Sequence, residues 1–125
     1  MKLFDSELKI LDILWEKGDA PAKRLAEILH DQGQWSKTTT YTVIKKCIDK
    51  GVVSREEPNF ICRALITRKD AQLLETDELI NKMFDGMPDQ LVASVLISKE
   101  LSAEELEKIR KIVNEEWIRK QSGNL

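Results

Sequence analysis

This 125-residue chain has one histidine, two cysteines, three prolines and only 6% aromatic residues. Each scarcity closes off a class of function. A structural zinc site needs about four ligands, and His30, Cys47 and Cys62 cannot supply them at any metal-binding spacing. Cys47 and Cys62 stand fifteen positions apart with no C-x-x-C pattern, and read as small apolar residues. No nucleophile sits beside a base and no glycine-rich phosphate loop is present, so no enzyme chemistry, cofactor or metal is expected. No apolar run approaches the ~18 residues of a membrane span and no signal peptide opens the chain, so a cytoplasmic protein with no membrane partner is expected.

What the chain does have is charge and helical periodicity. Charged residues make up 34% and hydrophobic ones 42%, the profile of a folded helical protein. The net charge of −2 hides an asymmetry. Residues 1–70 hold 13 Lys+Arg against 11 Asp+Glu, whereas residues 71–125 hold 7 against 11. Positions 35–55 carry five cations (Lys37, Lys45, Lys46, Lys50, Arg55) and one acid, Asp49. A local excess of this kind is a better guide to partners than the total.

Apolar spacing marks three helices in the first half. "DSELKILDILWEKG" places Leu8, Leu11, Leu14 and Trp15 on one face, widened by Ile10 and Ile13, with Asp5 or Ser6 able to cap it and Gly18 to end it. "APAKRLAEILHDQG" gives a shorter helix with Pro21 in its first turn and a stripe of Leu25, Ala26, Ile28 and Leu29. Ser36 then caps a third helix with Val43, Ile44, Cys47 and Ile48 facing inward and Gly51 at its left-handed C-cap. After Gly51 the period changes. "VVSREE" and "FICRALIT" are short strand-like runs around Pro58-Asn59, a hairpin. Three helices and a hairpin make a winged helix-turn-helix domain over residues 1–70. The expected fold is therefore mainly α, with a helical region over 71–125 behind that domain.

The later region holds more apolar faces than it can bury alone. Leu79, Met83, Leu91, Val95, Leu106, Ile109, Ile112, Val113 and Trp117 repeat at helical spacing, and Ser102 with Glu105 forms a capping box before the last helix. Short isolated helices are marginal in water. A second identical chain about a two-fold axis is the simplest cover, which makes these nine residues the candidate dimerisation set. Folding back on the first domain is the alternative.

The third helix is an unusual composition for a helix. "WSKTTTYTVIKKCIDKG" crowds poor helix formers into its first turns. A helix that enters the major groove of DNA favours short polar side chains near its N-terminus, and a threonine offers both a hydroxyl and a methyl for thymine. Thr38, Thr39, Thr42, Lys45 and Lys46 face away from the apolar stripe, with Tyr41 at the flank. Ser36, Lys37 and the helix amides can hold a phosphate. Lys45, Lys46, Lys50 and Arg55 read as phosphate anchors, and Arg55, Pro58, Asn59 and Arg63 as wing residues near the backbone. Trp35 reads as a core residue or hinge plug. Double-stranded DNA is the expected partner. A protein–protein adaptor that keeps the shape without binding DNA is the alternative.

The stretch "WSKTTTYTVIKKCIDKG" is similar to the W-S-x-K-T-x-x-T-[LVI]-[LI]-x-[RK]-L-x-x-K-G motif of the penicillinase-repressor family (BlaI/MecI/CopY type), through Trp35, Ser36, Thr39, Thr42, Val43, Ile44, Lys46, Lys50 and Gly51. "DSELKILDILW" resembles the family's opening and "LSAEELEKIRKIV" its last helix, so the likeness spans roughly residues 3–117. It implies a homodimeric transcriptional repressor on a palindromic operator, dimerised by its C-terminal helices, with Ser36, Thr39, Thr42 and Lys46 carried over as DNA contacts. Thr38 stands where the family often has lysine, and Tyr41 and Lys45 fall at variable positions. Members of the β-lactam type are inactivated by cleavage at an Asn-Phe bond where this chain has Ser94-Val95, and copper-responsive members end in a cysteine-rich tail that this chain lacks. The resemblance implies an inactivating protease or effector without identifying it.

Overall fold

The apolar stripes fold the described residues into six helices and one small sheet. The computed structural model describes residues 1–123, which form α1 (Asp5–Lys17), β1 (Ala20–Pro21), α2 (Ala22–Asp31), α3 (Lys37–Asp49), β2 (Val53–Glu56), β3 (Ile61–Ala64), α4 (Arg68–Met83), α5 (Pro88–Ser98) and α6 (Ala103–Gly123). This is the mainly helical arrangement that the periodicity predicts, a winged helix followed in sequence by further helices. By contacts the chain divides into two units, Met1–Leu79 and a second from Ile80 onward. The last two positions of the expected 71–125 region lie outside the described residues.

In the first unit the stripes of α1, α2 and α3 meet. Ile10, Leu11, Leu14, Leu25, Leu29, Val43, Ile44 and Cys47 are buried together, closed below by Val52, Val53 and Cys62 of the sheet segment. The ends of the helices follow elementary rules. Gly18 ends α1 at φ 87°, its N–H bonded to the Leu14 carbonyl, and Gly51 turns the chain out of α3 at φ 77°. Ser36 caps α3, its Oγ accepting the Thr39 N–H at 3.2 Å. Pro21 stands at the cap of α2 rather than inside its first turn. The start of α1 differs more. Asp5 and Ser6 lie within the helix, and the cap is Phe4, whose N–H bonds back to Glu7 Oε1 at 2.7 Å.

The hairpin of β2 and β3 is antiparallel, pairing Val53 with Ala64 and Glu56 with Ile61. The sheet has a third member that the sequence does not announce. Ala20 and Pro21 pair with Cys62 and Ile61, giving the order β1-β3-β2. Proline fits there because an edge strand can spare one donor. The first turns of α4 also pack on this unit. Trp15 Nε1–H donates to the Ile66 carbonyl at 2.9 Å, Arg68 reaches Asp12 at 3.1 Å, and Ala71 is buried.

In the second unit, Pro88 opens α5 at the position where its missing N–H costs nothing, and Ser102 and Glu105 close the expected capping box before α6 at 3.0 and 3.1 Å. No helix among the described residues is long and apolar enough to cross a membrane.

Both cysteines are fully buried and unbridged. Burial, with the Glu7 carboxylate adding to it, pushes the Cys47 thiol from 9.0 up to about 12, and burial pushes Cys62 to about 11. Thiolates are the reactive species, so both side chains are expected to resist iodoacetamide at neutral pH until urea unfolds the protein. Because the folded values lie above the unfolded ones, their contribution to stability is intact below pH 9 and falls as pH rises toward 11 and 12. Thiol titration of native and unfolded protein checks the first point, and urea midpoints across that pH range the second.

Candidate nucleic-acid interface

The face of α3 opposite the core is where the polar residues of the first unit converge. Val43, Ile44 and Cys47 turn inward, and Thr40 with them, so the outward positions are Lys37, Thr38, Thr39, Tyr41, Thr42, Lys45 and Lys46. Ser36 is exposed at the cap. All eight candidate residues of this segment therefore share one accessible surface.

The threonines differ in what they can offer. Thr42 Oγ1 donates to the Thr38 carbonyl at 3.2 Å, which spends its proton on the helix and leaves lone pairs and the methyl group outward. Thr39 Oγ1 accepts from Ser36 Oγ at 3.0 Å and so keeps its own proton to donate. Thr40 Oγ1 bonds back to the Ser36 carbonyl, inside the fold. The first turn of α3 contains no acid. The positive end of the helix is left to attract an anion.

The cations fall into two groups. Among the described residues Lys37, Lys45 and Lys46 make no ion pair, and all are exposed. Lys50 is different from what its sequence context suggests. Its Nζ lies 2.7 Å from Glu7 Oε1 and 2.7 Å from the Lys2 carbonyl, over the Phe4 ring. It neutralises a carboxylate that is 1% exposed, so it is a structural partner and not a free phosphate anchor. In the wing, Arg55 is exposed but bound to Glu57 at 2.6 Å, and Arg63 is bound to Asp19 at 3.0 Å and Glu56 at 3.5 Å. Asp19 holds the Arg63 guanidinium above its ordinary pKa, with Glu56 adding to it. The free positive charge of this surface thus sits on α3.

An unforeseen contact joins helix and wing. The Tyr41 and Phe60 rings meet edge to face with centroids 6.1 Å apart, and the Arg55 guanidinium lies 3.8 Å from the Phe60 centroid. Arg55 and Glu57 are two apart in sequence, a spacing that puts side chains on one side of an extended chain, but only the folded hairpin brings Phe60 under them. Trp35 packs against the core, as expected, with Lys9 Nζ 5.8 Å from its ring.

The candidate dimerisation residues lie in α4, α5 and α6. Leu79, Met83, Val95, Leu106, Ile112, Val113 and Trp117 are exposed in the single chain, whereas Leu91 and Ile109 are half-buried. Within the second unit α5 and α6 line an open apolar groove of about 570 Å³, with Val92, Leu96, Leu106, Ile109, Val113 and Trp117 on its walls. No group of His, Cys, Asp and Glu among the described residues is arranged to hold a metal ion.

Three helices, a paired wing and an accessible threonine- and lysine-bearing third helix define the class, a winged helix-turn-helix protein. The family follows from comparison with known proteins. Residues 3–115 match the family model described as penicillinase repressor. The methicillin resistance regulatory protein MecI of Mammaliicoccus sciuri is 29% identical over 115 residues, covering 90% of this chain and 94% of its own. The penicillinase repressor of Bacillus licheniformis is 22% identical over 122 residues, covering 96% and 95%, and that of Staphylococcus aureus 23% over 112 residues, covering 88% and 89%. The chain belongs to the penicillinase repressor family, whose members are transcriptional repressors and not enzymes.

Proposed function

We propose that this repressor is a cytoplasmic homodimer that binds a palindromic operator by laying α3 in the major groove. The observation that carries the reading is the outer face of α3, where Thr38, Thr39, Tyr41 and Thr42 stand beside three lysines that no carboxylate among the described residues neutralises. Ser36, Thr39 and Thr42 supply polar and methyl contacts to base edges or the nearest phosphate, and Lys37, Lys45 and Lys46 supply backbone contacts. Residues 1–70 act as the DNA-binding head and the helices of 71–125 as the dimerisation region. With about six to ten phosphates contacted by two heads, binding weakens steeply with salt, with a log–log slope of order −5 to −9. Half-sites lie about one helical turn, ~34 Å, apart or at a multiple of it.

The test is fluorescence anisotropy with DNA from upstream of the protein's own reading frame, against scrambled DNA, at about 50 and 200 mM salt. Tight, salt-sensitive binding to the native fragment supports the reading. No binding to either duplex at low salt transfers the protein to the adaptor alternative.

Two substitutions separate the roles on α3. Thr42→Ala is expected to lower operator affinity about tenfold and leave scrambled DNA nearly unaffected, because it removes a methyl and lone pairs aimed at bases. Lys46→Ala is expected to weaken both duplexes alike and to flatten the salt slope by about one contact per head. Equal effects of the two changes on both duplexes would show that this division is wrong.

A further inference from the structure

The wing carries a cation that is occupied in the free protein. Arg55 donates its Nε–H to Glu57 Oε1 at 2.6 Å and stacks on Phe60. Glu57 Oε2 accepts the Phe60 N–H at 3.3 Å. Its hydrogen bonds with Arg55 and then Phe60 hold the Glu57 carboxyl below the ordinary carboxylate range. Phe60 sits at φ 52° and Asn59 at φ 74°, a left-handed stretch with no glycine in it. Side chains avoid that region unless surrounding contacts hold them there. Here the contacts are Tyr41 on one side of Phe60 and Arg55 on the other. A relay thus runs from the outer face of α3 through an aromatic ring to a guanidinium and its carboxylate.

Resting on the DNA-binding reading above, we propose that Glu57 is a specificity-determining residue. It keeps Arg55 neutralised on random DNA, and Arg55 passes to a backbone phosphate only when α3 is seated in its groove. The physics is a competition between two anions for one guanidinium. Carboxylate and phosphate both make charge-assisted bonds to arginine. An exposed ion pair is weak, so a phosphate held in register by the contacts of α3 can displace Glu57. A phosphate that passes the wing in a sliding, non-specific complex has no such register, and the tethered carboxylate wins by its higher effective concentration. Tyr41 transmits the seating, because its ring bears on the same Phe60 that carries Arg55. Arg63 cannot play this part, since two acids hold it.

The test measures anisotropy of the full chain with a random duplex of about three helical turns and with the operator-containing upstream fragment, over a range of salt. Glu57→Gln keeps the acceptor for Phe60 N–H and removes the charge. On random DNA it is expected to tighten binding about fivefold to tenfold and to steepen the log–log slope by about 0.9 per head, one added phosphate contact each. Operator binding tightens less, so the ratio of the two affinities falls. In an Arg55→Gln background the same change is expected to do nothing to the slope. Glu56→Gln, an equal loss of charge on the neighbouring residue, is expected to leave the slope unchanged. An unchanged random-DNA slope in Glu57→Gln overturns the proposal, as does an identical steepening without Arg55. If the unsubstituted protein binds its operator while Glu57→Gln behaves like it on random DNA, only this inference fails. If the unsubstituted protein binds neither duplex, the DNA reading fails and takes this inference with it.

Discussion

Lys50→Met is expected to destabilise the protein by about 3 kcal/mol, a large part of the ~5–15 kcal/mol that holds a small domain together. Glu7 is 1% exposed, and its Oε2 has no hydrogen-bond partner among the described residues. Its charge is met by Lys50 Nζ at 2.7 Å and by the Phe4 N–H at 2.7 Å, both on Oε1. Removing the ammonium leaves a buried carboxylate with one neutral donor, and breaking a buried pair by deleting one partner costs about 3–5 kcal/mol. The low end applies because the Lys50 side chain remains 26% exposed. Urea unfolding should show the midpoint falling by about 1–3 M at an unchanged slope. Glu7→Gln/Lys50→Met should regain most of the loss, since glutamine keeps the acceptor for Phe4 N–H and buries no charge. A Lys50→Met protein with an unaltered urea midpoint and a flattened DNA salt slope would return Lys50 to the backbone-contact role that its place in the motif suggests.

That pair also shows where sequence reasoning stops. The stripes of α1 to α3, the Ser36 cap and the Gly51 turn rest on local rules, and local rules act on neighbours in the chain. Glu7 gave a local sign as well. It occupies a stripe position with Leu11 and Leu14, where an acid is out of place unless something neutralises it. What neutralises it stands forty-three residues on, and no periodicity connects the two. The same holds for β1. Two residues carry no alternation, and Ala20-Pro21 becomes a strand only because the edge of β3 lies beside it. At the candidate interface the outer face of α3 was legible because helical spacing assigns faces. The state of Arg55 was not, because its partners Glu57 and Phe60 depend on how the hairpin turns. A count of cations in 35–55 treats five side chains alike. Among the described residues the fold leaves Lys37, Lys45 and Lys46 without an ion pair, commits Lys50 to Glu7, and pairs Arg55 with Glu57.

The largest effect on DNA binding is expected far from DNA. Leu106→Asp/Ile109→Asp should turn the proposed dimer into a monomer and lower operator affinity by a factor of about 10²–10⁴, with the Thr42 and Lys46 surfaces untouched. In α6 the side chains of Leu106, Ile112, Val113 and Trp117 are all exposed in the single chain, Trp117 by 64%. Leu106, Val113 and Trp117, with Ile109 and residues of α5, wall a groove of about 570 Å³. A continuous apolar surface of this kind is uncommon on a monomer and marks a site of association. A two-fold axis lets each chain offer the same surface it covers, and it also gives two heads matched to a palindrome. Aspartate at 106 and 109 would bury two charges per chain in that contact without partners, which no dimer of ordinary strength tolerates. The first unit should still fold, because neither Leu106 nor Ile109 is part of its core. Sedimentation equilibrium gives the mass, and anisotropy gives the affinity. A single head should then bind operator and scrambled DNA with a salt slope near half that of the dimer, since half the phosphates are met. A dimeric mass in the doubly substituted protein would move the association surface elsewhere. A monomeric mass with full operator affinity would mean that one head suffices, and that the operator need not be a palindrome.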